Sequence, residues 1–152
     1  MNATVETLHE GAVTRQASGR LALETRGPGF TEITGAVARW AAGTGIRYGL
    51  LTAFCRHTSA SLTIQENADP DVRTDLLAAL DRLAPRTAPY VHALEGPDDM
   101  PAHIRTMLTD AAVAIPVADG RLALGTWQGL YLVEHRDRRP HRREVILHVL
   151  GA

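Results

Sequence analysis

Seven histidines, a set of clustered carboxylates and sixteen arginines are the chemically versatile side chains of this 152-residue sequence. His57 follows an apolar run directly, within Arg56-His57-Thr58-Ser59-Ala60. His92 stands three residues before Glu95, and His103 comes shortly after the doublet Asp98-Asp99. Imidazole is the commonest nitrogen ligand of divalent transition metals, and carboxylates complete or orient such sites. If His57, His92 and His103 converge from separate elements, they could hold one ion with a coordination position left open. Their spacing alone fits surface or helix-capping histidines as well, because neither HExxH nor a paired Cys/His pattern is present. The acidic loop Glu95-Gly96-Pro97-Asp98-Asp99 reads most simply as a helix cap. In a sharper reading it orients His103 or holds Mg²⁺ through oxygen. From Arg136 to Arg143, five of eight residues are arginine. Arg138 and Arg139 read as a solvated hairpin tip, whereas Arg136 and Arg143 flank the turn, where their planar forks would suit a phosphorylated ligand.

Other chemistry is excluded by what is missing. With no lysine, a Schiff-base lysine, a pyridoxal-phosphate anchor and a P-loop lysine are impossible. Serine occurs only as Ser18, Ser59 and Ser61, and Cys55 is the single cysteine, so no intrachain disulfide forms. One reduced cysteine suits a cytoplasmic setting. No stretch approaches the ~18 to 20 apolar residues of a membrane span, and no signal-like apolar run opens the chain. The net charge of −1 and seven aromatics, none of them in the arginine-rich run, argue against a nucleic-acid partner.

The elements that must position these groups fit one domain over residues 1–152, with 1–11 a loose arm or short edge strand. Strand-like alternation runs through 12–25, and Gly27-Pro28-Gly29 forces a turn. A helix is predicted over 31–42, stopped by Gly43 and Gly45. Residues 49–56 and 61–65 read as strands. Asp69 and Pro70 form a helix start, with Val72, Leu76, Leu77, Leu80 and Leu83 on one face until Pro85. Residues 86–98 form an irregular loop, and a proline-started helix follows over 100–110. Strands at 113–117 and 121–124 flank an Asp119-Gly120 turn, the strongest hairpin signal in the chain. Residues 128–135 and 142–150 are expected to form another pair around a turn containing Pro140. Trp127 is expected to anchor the core or an interface. The fold class is therefore α+β, a largely antiparallel, sandwich-like sheet with two or three covering helices.

Several blocks together resemble the YjbQ-like family, described as secondary thiamine-phosphate synthase enzymes. They are His57-Thr58-Ser59-Ala60-Ser61-Leu62-Thr63, Glu66-Asn67-Ala68-Asp69-Pro70, Tyr90-Val91-His92, the run from Glu95 through Arg105, and Gly125-Thr126-Trp127-Gln128. The resemblance extends from about Gly27 to Val149. It implies a compact α+β subunit that forms a homotrimer with clefts near subunit contacts. It makes His57, His92 and His103 a metal triad for Zn, Mn or Mg, and places Glu66, Asn67, Asp98, Gln128 and Glu134 among the catalytic positions. Asp69, Asp99 and Thr126 also fall on motif positions. The implied reaction joins hydroxymethylpyrimidine diphosphate to thiazole phosphate and releases pyrophosphate. That is substitution at a benzylic-type carbon, and it needs leaving-group neutralisation and positioning rather than a side-chain nucleophile. Two other readings stand beside it. One is a metal-dependent hydrolase or other phospho-ligand enzyme; the other is a non-catalytic trimeric binding module.

Overall fold

The computed structural model describes residues 3–137 and 140–152. Eleven elements follow one another: β1 Arg15–Arg26, β2 Gly29–Glu32, α1 Thr34–Gly43, β3 Gly49–Cys55, β4 Ala60–Glu66, α2 Pro70–Leu83, α3 Asp99–Leu108, β5 Ala112–Ala118, β6 Arg121–Leu122, β7 Gln128–Glu134 and β8 Pro140–Gly151. They build two antiparallel sheets, one of five strands ordered β1-β8-β3-β5-β6 and one of three ordered β2-β7-β4. The α+β class expected from the sequence is the one observed. Residues 3–14 form no strand and are exposed.

Alternation along the strands shows where the core lies. On β8, Val145, Leu147 and Val149 are buried, while Glu144, Ile146 and His148 between them are only partly so. This is the pattern of a strand with one face inward. The inward residues join Leu51 and Ala53 of β3, Ile115 of β5, Leu62 of β4, Leu130 and Leu132 of β7, and Val37 of α1 in one core. β7 is buried on both faces from Gly129 to Glu134. It is the centre of its sheet, with β2 and β4 as neighbours.

Local signals set several boundaries. Asp69 accepts a hydrogen bond from the Asp71 N–H at 2.9 Å and Pro70 opens α2. The Asp69 side chain satisfies one free amide, and proline at the first position removes another because it carries no N–H. The Asp119-Gly120 turn has φ of 49° and 74° at its two residues, the left-handed pair a two-residue hairpin requires. Gly49 and Gly151 face each other across β3 and β8. A side-chain carbon at either would come 2.0 Å from a backbone carbonyl of the opposing chain segment, so only glycine fits.

Three expectations are corrected. β7 and β8 are not a hairpin pair. The edges of β7 are taken by β2 and β4, and those of β8 by β1 and β3, so neither has a ladder free for the other. The chain passes from one sheet to the other between them. Of the core or interface role expected for Trp127, the core is excluded, since this residue is 66% exposed. It precedes β7 by one residue and escapes the burial that the strand imposes. Of the apolar face foreseen on α2, only Leu80 is buried, and Leu83 is 65% exposed. The solvated tip expected at Arg138 and Arg139 lies outside the described residues.

Candidate functional site: a two-histidine, one-carboxylate cluster

α3 presents Asp99 and His103 on one face, four residues apart. The 86–98 loop brings His92 to the same place. His92 Nε2 lies 2.8 Å and His103 Nε2 lies 3.0 Å from Asp99 Oδ2. The three donor atoms are all within 4.8 Å of one another. Zinc binds imidazole nitrogen and carboxylate oxygen at about 2.0–2.2 Å, so ligand atoms on one ion must crowd to this extent. Asp99 is 2% exposed, whereas both imidazoles reach solvent on one side.

His103 carries the most informative geometry. Its Nδ1 lies 3.0 Å from the Thr58 carbonyl oxygen, and its Nε2 faces the Asp99 carboxylate. Both ring nitrogens therefore point at acceptors. A neutral imidazole has one N–H, so with Nδ1–H on the Thr58 carbonyl the Nε2 lone pair faces the carboxylate, an arrangement that a cation between them would satisfy. The Nδ1–H to carbonyl bond is the outer hydrogen bond that commonly fixes the tautomer of a metal-ligating histidine. The donor set thus fits a divalent ion. Burial works against ionisation of Asp99, but the His92 hydrogen bond and the charges of Arg136 and His103 outweigh it and hold the carboxyl below its usual range.

The arginines behind the cluster are committed inward. Arg136 Nε donates to Asp98 Oδ2 at 2.8 Å, Nη1 to Asp99 Oδ1, and Nη2 to the Glu95 carbonyl at 2.9 Å. Asp98 also accepts the Asp137 N–H at 2.9 Å. It makes no side-chain cap to α3, contrary to the simple reading of the acidic loop, because Arg136 and that amide take its oxygens. Arg143 closes its fork on Glu134 at 2.7 and 2.6 Å. Thr25 donates to Glu134 at 2.5 Å, and the backbone N–H groups of His135 and Arg136 donate at 3.0 and 2.9 Å. Burial alone would raise the Glu134 carboxyl, yet Arg143, Thr25 and these amides hold it below its ordinary range. Neither guanidinium is left with a fork open to a phosphate.

The remaining site candidates divide by position. His57 is not in the cluster; its Nε2 accepts the Glu144 N–H at 2.8 Å, which uses the lone pair a metal would need. Burial and then Arg143 lower its basicity. β4 pairs with β7 from Ala60↔Glu134 at one end to Glu66↔Gln128 at the other. Six residue steps along a strand span about 20 Å. Asp98, Glu134, Arg136, Arg143 and the His92–Asp99–His103 cluster gather at the first end, where Thr58 also lies. Glu66, Asn67 and Gln128 stand at the second. One chain therefore does not bring all these residues into one site.

Two groups escaped the sequence reading. Asp99 was foreseen as part of an acidic loop and as a motif position, not as a partner of both imidazoles; the signal that singles it out is its spacing of four from His103. Ser61 and His135 form a buried pair, Oγ to Nε2 at 2.8 Å, with the Thr109 hydroxyl donating to Ser61 at 2.7 Å. Burial, and then the charge of Arg105, depress the His135 pKa to about 4. The pair looks like a nucleophile and its base, but Ser61 is 0% and His135 1% exposed, so no substrate reaches it.

Comparison with known proteins agrees with this architecture. A family model described as UPF0047 protein YjbQ-like matches residues 19–152. The chain is 49% identical over 145 residues to UPF0047 protein sll1880 of Synechocystis, covering 95% of this chain and 98% of that one. It is 37% identical over 120 residues to UPF0047 protein YugU of Bacillus subtilis, covering 79% and 88%. A crystal structure of a YjbQ/UPF0047 family protein from Clostridium acetobutylicum superposes with a TM-score of 0.79 at 37% identity, over 86% of this chain and 98% of that one. The conserved hypothetical protein TT1486 from Thermus thermophilus gives 0.75 at 40% identity, over 85% and 97%. These names state a family and no activity. With its sequence blocks, its paired sheets and nearly its full length matched, the chain belongs to the UPF0047 (YjbQ-like) family.

Proposed function

We propose that the protein is a divalent-metal enzyme acting on a small phosphorylated substrate, and that its reaction is formation of thiamine phosphate from the two phosphorylated precursors. The observation that carries the metal half is the convergence of His92, Asp99 and His103, with both nitrogens of His103 facing oxygen. The motif blocks carry the choice of reaction. An ion held there supplies charge neutralisation and Lewis acidity toward phosphate oxygens. The chain's own residues do the rest. Thr58 fixes the His103 ring through Nδ1, and Arg136 holds Asp99 and Asp98 in place, so the three donors are set before any ligand arrives. Exposure of the imidazoles on one side leaves room for a diphosphate to approach.

A second reading, cleavage of a phosphorylated compound by water, is favoured by one observation. Among the described residues, the arginines nearest the cluster, Arg136 and Arg143, are already paired within the chain, so neither has a free fork to receive a departing diphosphate. One assay separates the readings. Purified protein is incubated with hydroxymethylpyrimidine diphosphate and thiazole phosphate in the presence of Zn²⁺, Mn²⁺ or Mg²⁺. The expected result is thiamine phosphate and pyrophosphate in equal amounts. Released phosphate without coupling would select the hydrolase, and no turnover with any metal would select a binding module.

We also infer a homotrimer in a reducing cytoplasm. On the outer face of the five-stranded sheet, Leu50, Phe54 and Leu150 are exposed beside Ala112, Ala114 and Pro116. Apolar surface of this kind favours association. The measurement is the mass in solution by light scattering, expected at three times that of the chain; the chain mass alone would refute it. Among the described residues, no helix is long and apolar enough to cross a membrane.

A further inference from the structure

A groove of about 500 Å³ opens between α1 and the segment that runs from the β5–β6 turn to the start of β7. Its size is that of a small-ligand site. Ala38, Ala42, Leu122 and Leu124 form an apolar floor, and Arg39 and Arg121 stand at its walls. Among the described residues, no acidic one lines it. Of the described arginines, only Arg39, Arg82 and Arg121 have neither an ion pair nor a side-chain hydrogen bond, and two of those three line this one groove. The carboxylate nearest Arg121 in sequence, Asp119, takes Tyr48 and Arg47 on Oδ1, and Arg121 adds to it only an attraction through space, without an ion pair or hydrogen bond.

The rim adds directed polar groups. Gln128 Oε1 accepts the Gly125 N–H at 2.9 Å, which turns its amide so that the NH₂ remains free to donate. Asn67 Nδ2 donates to the Gln128 carbonyl at 3.4 Å, leaving Oδ1 free to accept. Two unpaired guanidiniums suit the oxygens of a phosphate monoester. A free inorganic anion would leave the apolar floor and the Asn67–Gln128 edge unused. A flat ring bearing polar edge atoms would use all three.

We propose that this groove is a binding site for a small organic phosphate, with Arg39 and Arg121 holding the phosphate and the alanine–leucine floor receiving an apolar or heterocyclic ring. It lies beyond the Glu66 and Gln128 ends of β4 and β7, about 20 Å along the strands from the histidine cluster. It stands whether or not that cluster holds a metal.

The test is calorimetric binding of phenyl phosphate, phenol and inorganic phosphate to the intact protein with EDTA present, so that no ion at the histidines contributes. Phenyl phosphate is expected to bind at least about tenfold more tightly than either fragment, and Arg39→Gln and Arg121→Gln each to weaken it by about tenfold or more, the scale of one charge-assisted hydrogen bond. Arg82→Gln, outside the groove, is expected to leave binding unchanged. Ala38→Trp, which fills the floor, is expected to abolish phenyl phosphate binding. Both arginines are exposed, so their variants are expected to melt like the wild type. Equal affinity for inorganic and phenyl phosphate, insensitivity to both arginine substitutions, or no binding of phenyl phosphate would each overturn the assignment.

Discussion

The two ends of the three-stranded sheet carry similar inventories of arginine and polar side chains, and they spend them in opposite ways. At the Ala60–Glu134 end, Arg136 and Arg143, among the described residues, close on Asp98, Asp99 and Glu134. At the Glu66–Gln128 end, Arg39 and Arg121 have no such partner and line an open groove. Charges matched internally hold a scaffold in place. Charges left unmatched are available to a ligand. The comparison predicts that substitutions at the first end cost stability or metal affinity, and that substitutions at the second cost ligand affinity and little else.

The largest effect is expected at Arg143. Removing one partner of a buried ion pair leaves the other charge without compensation, which costs about 3–5 kcal/mol. Glu134 and Arg143 are 1% and 5% exposed. Arg143→Met is therefore expected to lower unfolding free energy in urea by about 4 kcal/mol. Arg121→Gln, at the open end, is expected to stay within about 0.5 kcal/mol of wild type. Similar losses for both would erase the contrast between the ends.

The histidine cluster gives the next effect. Asp99→Asn removes the carboxylate charge that both imidazoles face, and under the proposed function Zn²⁺ affinity by competitive chelator titration is expected to fall at least about a hundredfold, beyond the usual cost of losing an outer partner. His57→Ala is expected to leave that affinity nearly unchanged, since His57 Nε2 is occupied by the Glu144 amide. A large loss in the His57 variant would restore the three-histidine triad and dismantle the two-histidine, one-carboxylate site.

Acid stability tests the matched end in a different way. The His135 pKa is depressed from 6.5 to about 4, first by burial and then by Arg105. Between those values the unfolded chain binds the proton and the folded chain does not, so stability is full above pH 6.5 and is lost as pH falls. From pH 6.5 to 5 the loss attributable to His135 is about 2 kcal/mol. The depressed carboxyls of Asp98, Asp99 and Glu134 act later. Their stabilisation is present above the ordinary carboxylate range and fades as pH falls below it. His135→Gln is expected to flatten the first of these slopes and spare the second. An unchanged slope between pH 6.5 and 5 would place the titrating group elsewhere, with His57 the next candidate.

What the sequence disclosed follows the range of the interactions involved. The start of α2 at Pro70 and the Asp119-Gly120 turn depend on two or three adjacent residues, and both were legible. The sheet assignment of β8 depends on partners more than a hundred residues away in β1, so proximity in sequence suggested a hairpin with β7 instead. Arg136 reads as a free fork until Asp98, thirty-eight residues earlier, is seen to occupy it. His92 and His103 were recognisable as ligand types. That His57 stands apart from them depends on an amide of β8. The motif blocks marked Asn67, Thr126 and Gln128 on the rim of the groove, but Arg39 and Arg121 had no sequence signal, because an unpaired arginine is defined by partners that are absent, and absence is visible only in three dimensions.

The smallest expected effect sharpens the comparison from within the open end. Asp69 sits there, two residues after Asn67; its carboxylate caps α2 on the Asp71 N–H, and its own N–H donates to Glu66 Oε1 at 3.3 Å. Losing such a cap costs about 1 kcal/mol, and asparagine, which also caps well, costs less. Asp69→Ala is therefore expected to lower stability by about 1 kcal/mol and Asp69→Asn by only a fraction of that, with phenyl phosphate affinity unchanged in both. Since α2 buries little beyond Leu80, the cap is a large share of what holds its first turn. A gain in phosphate affinity on removing the Asp69 charge, equal in the alanine and asparagine variants, would mean that this carboxylate already tempers the field of Arg39 and Arg121. The open end would then be partly matched, and the division between the two ends one of degree.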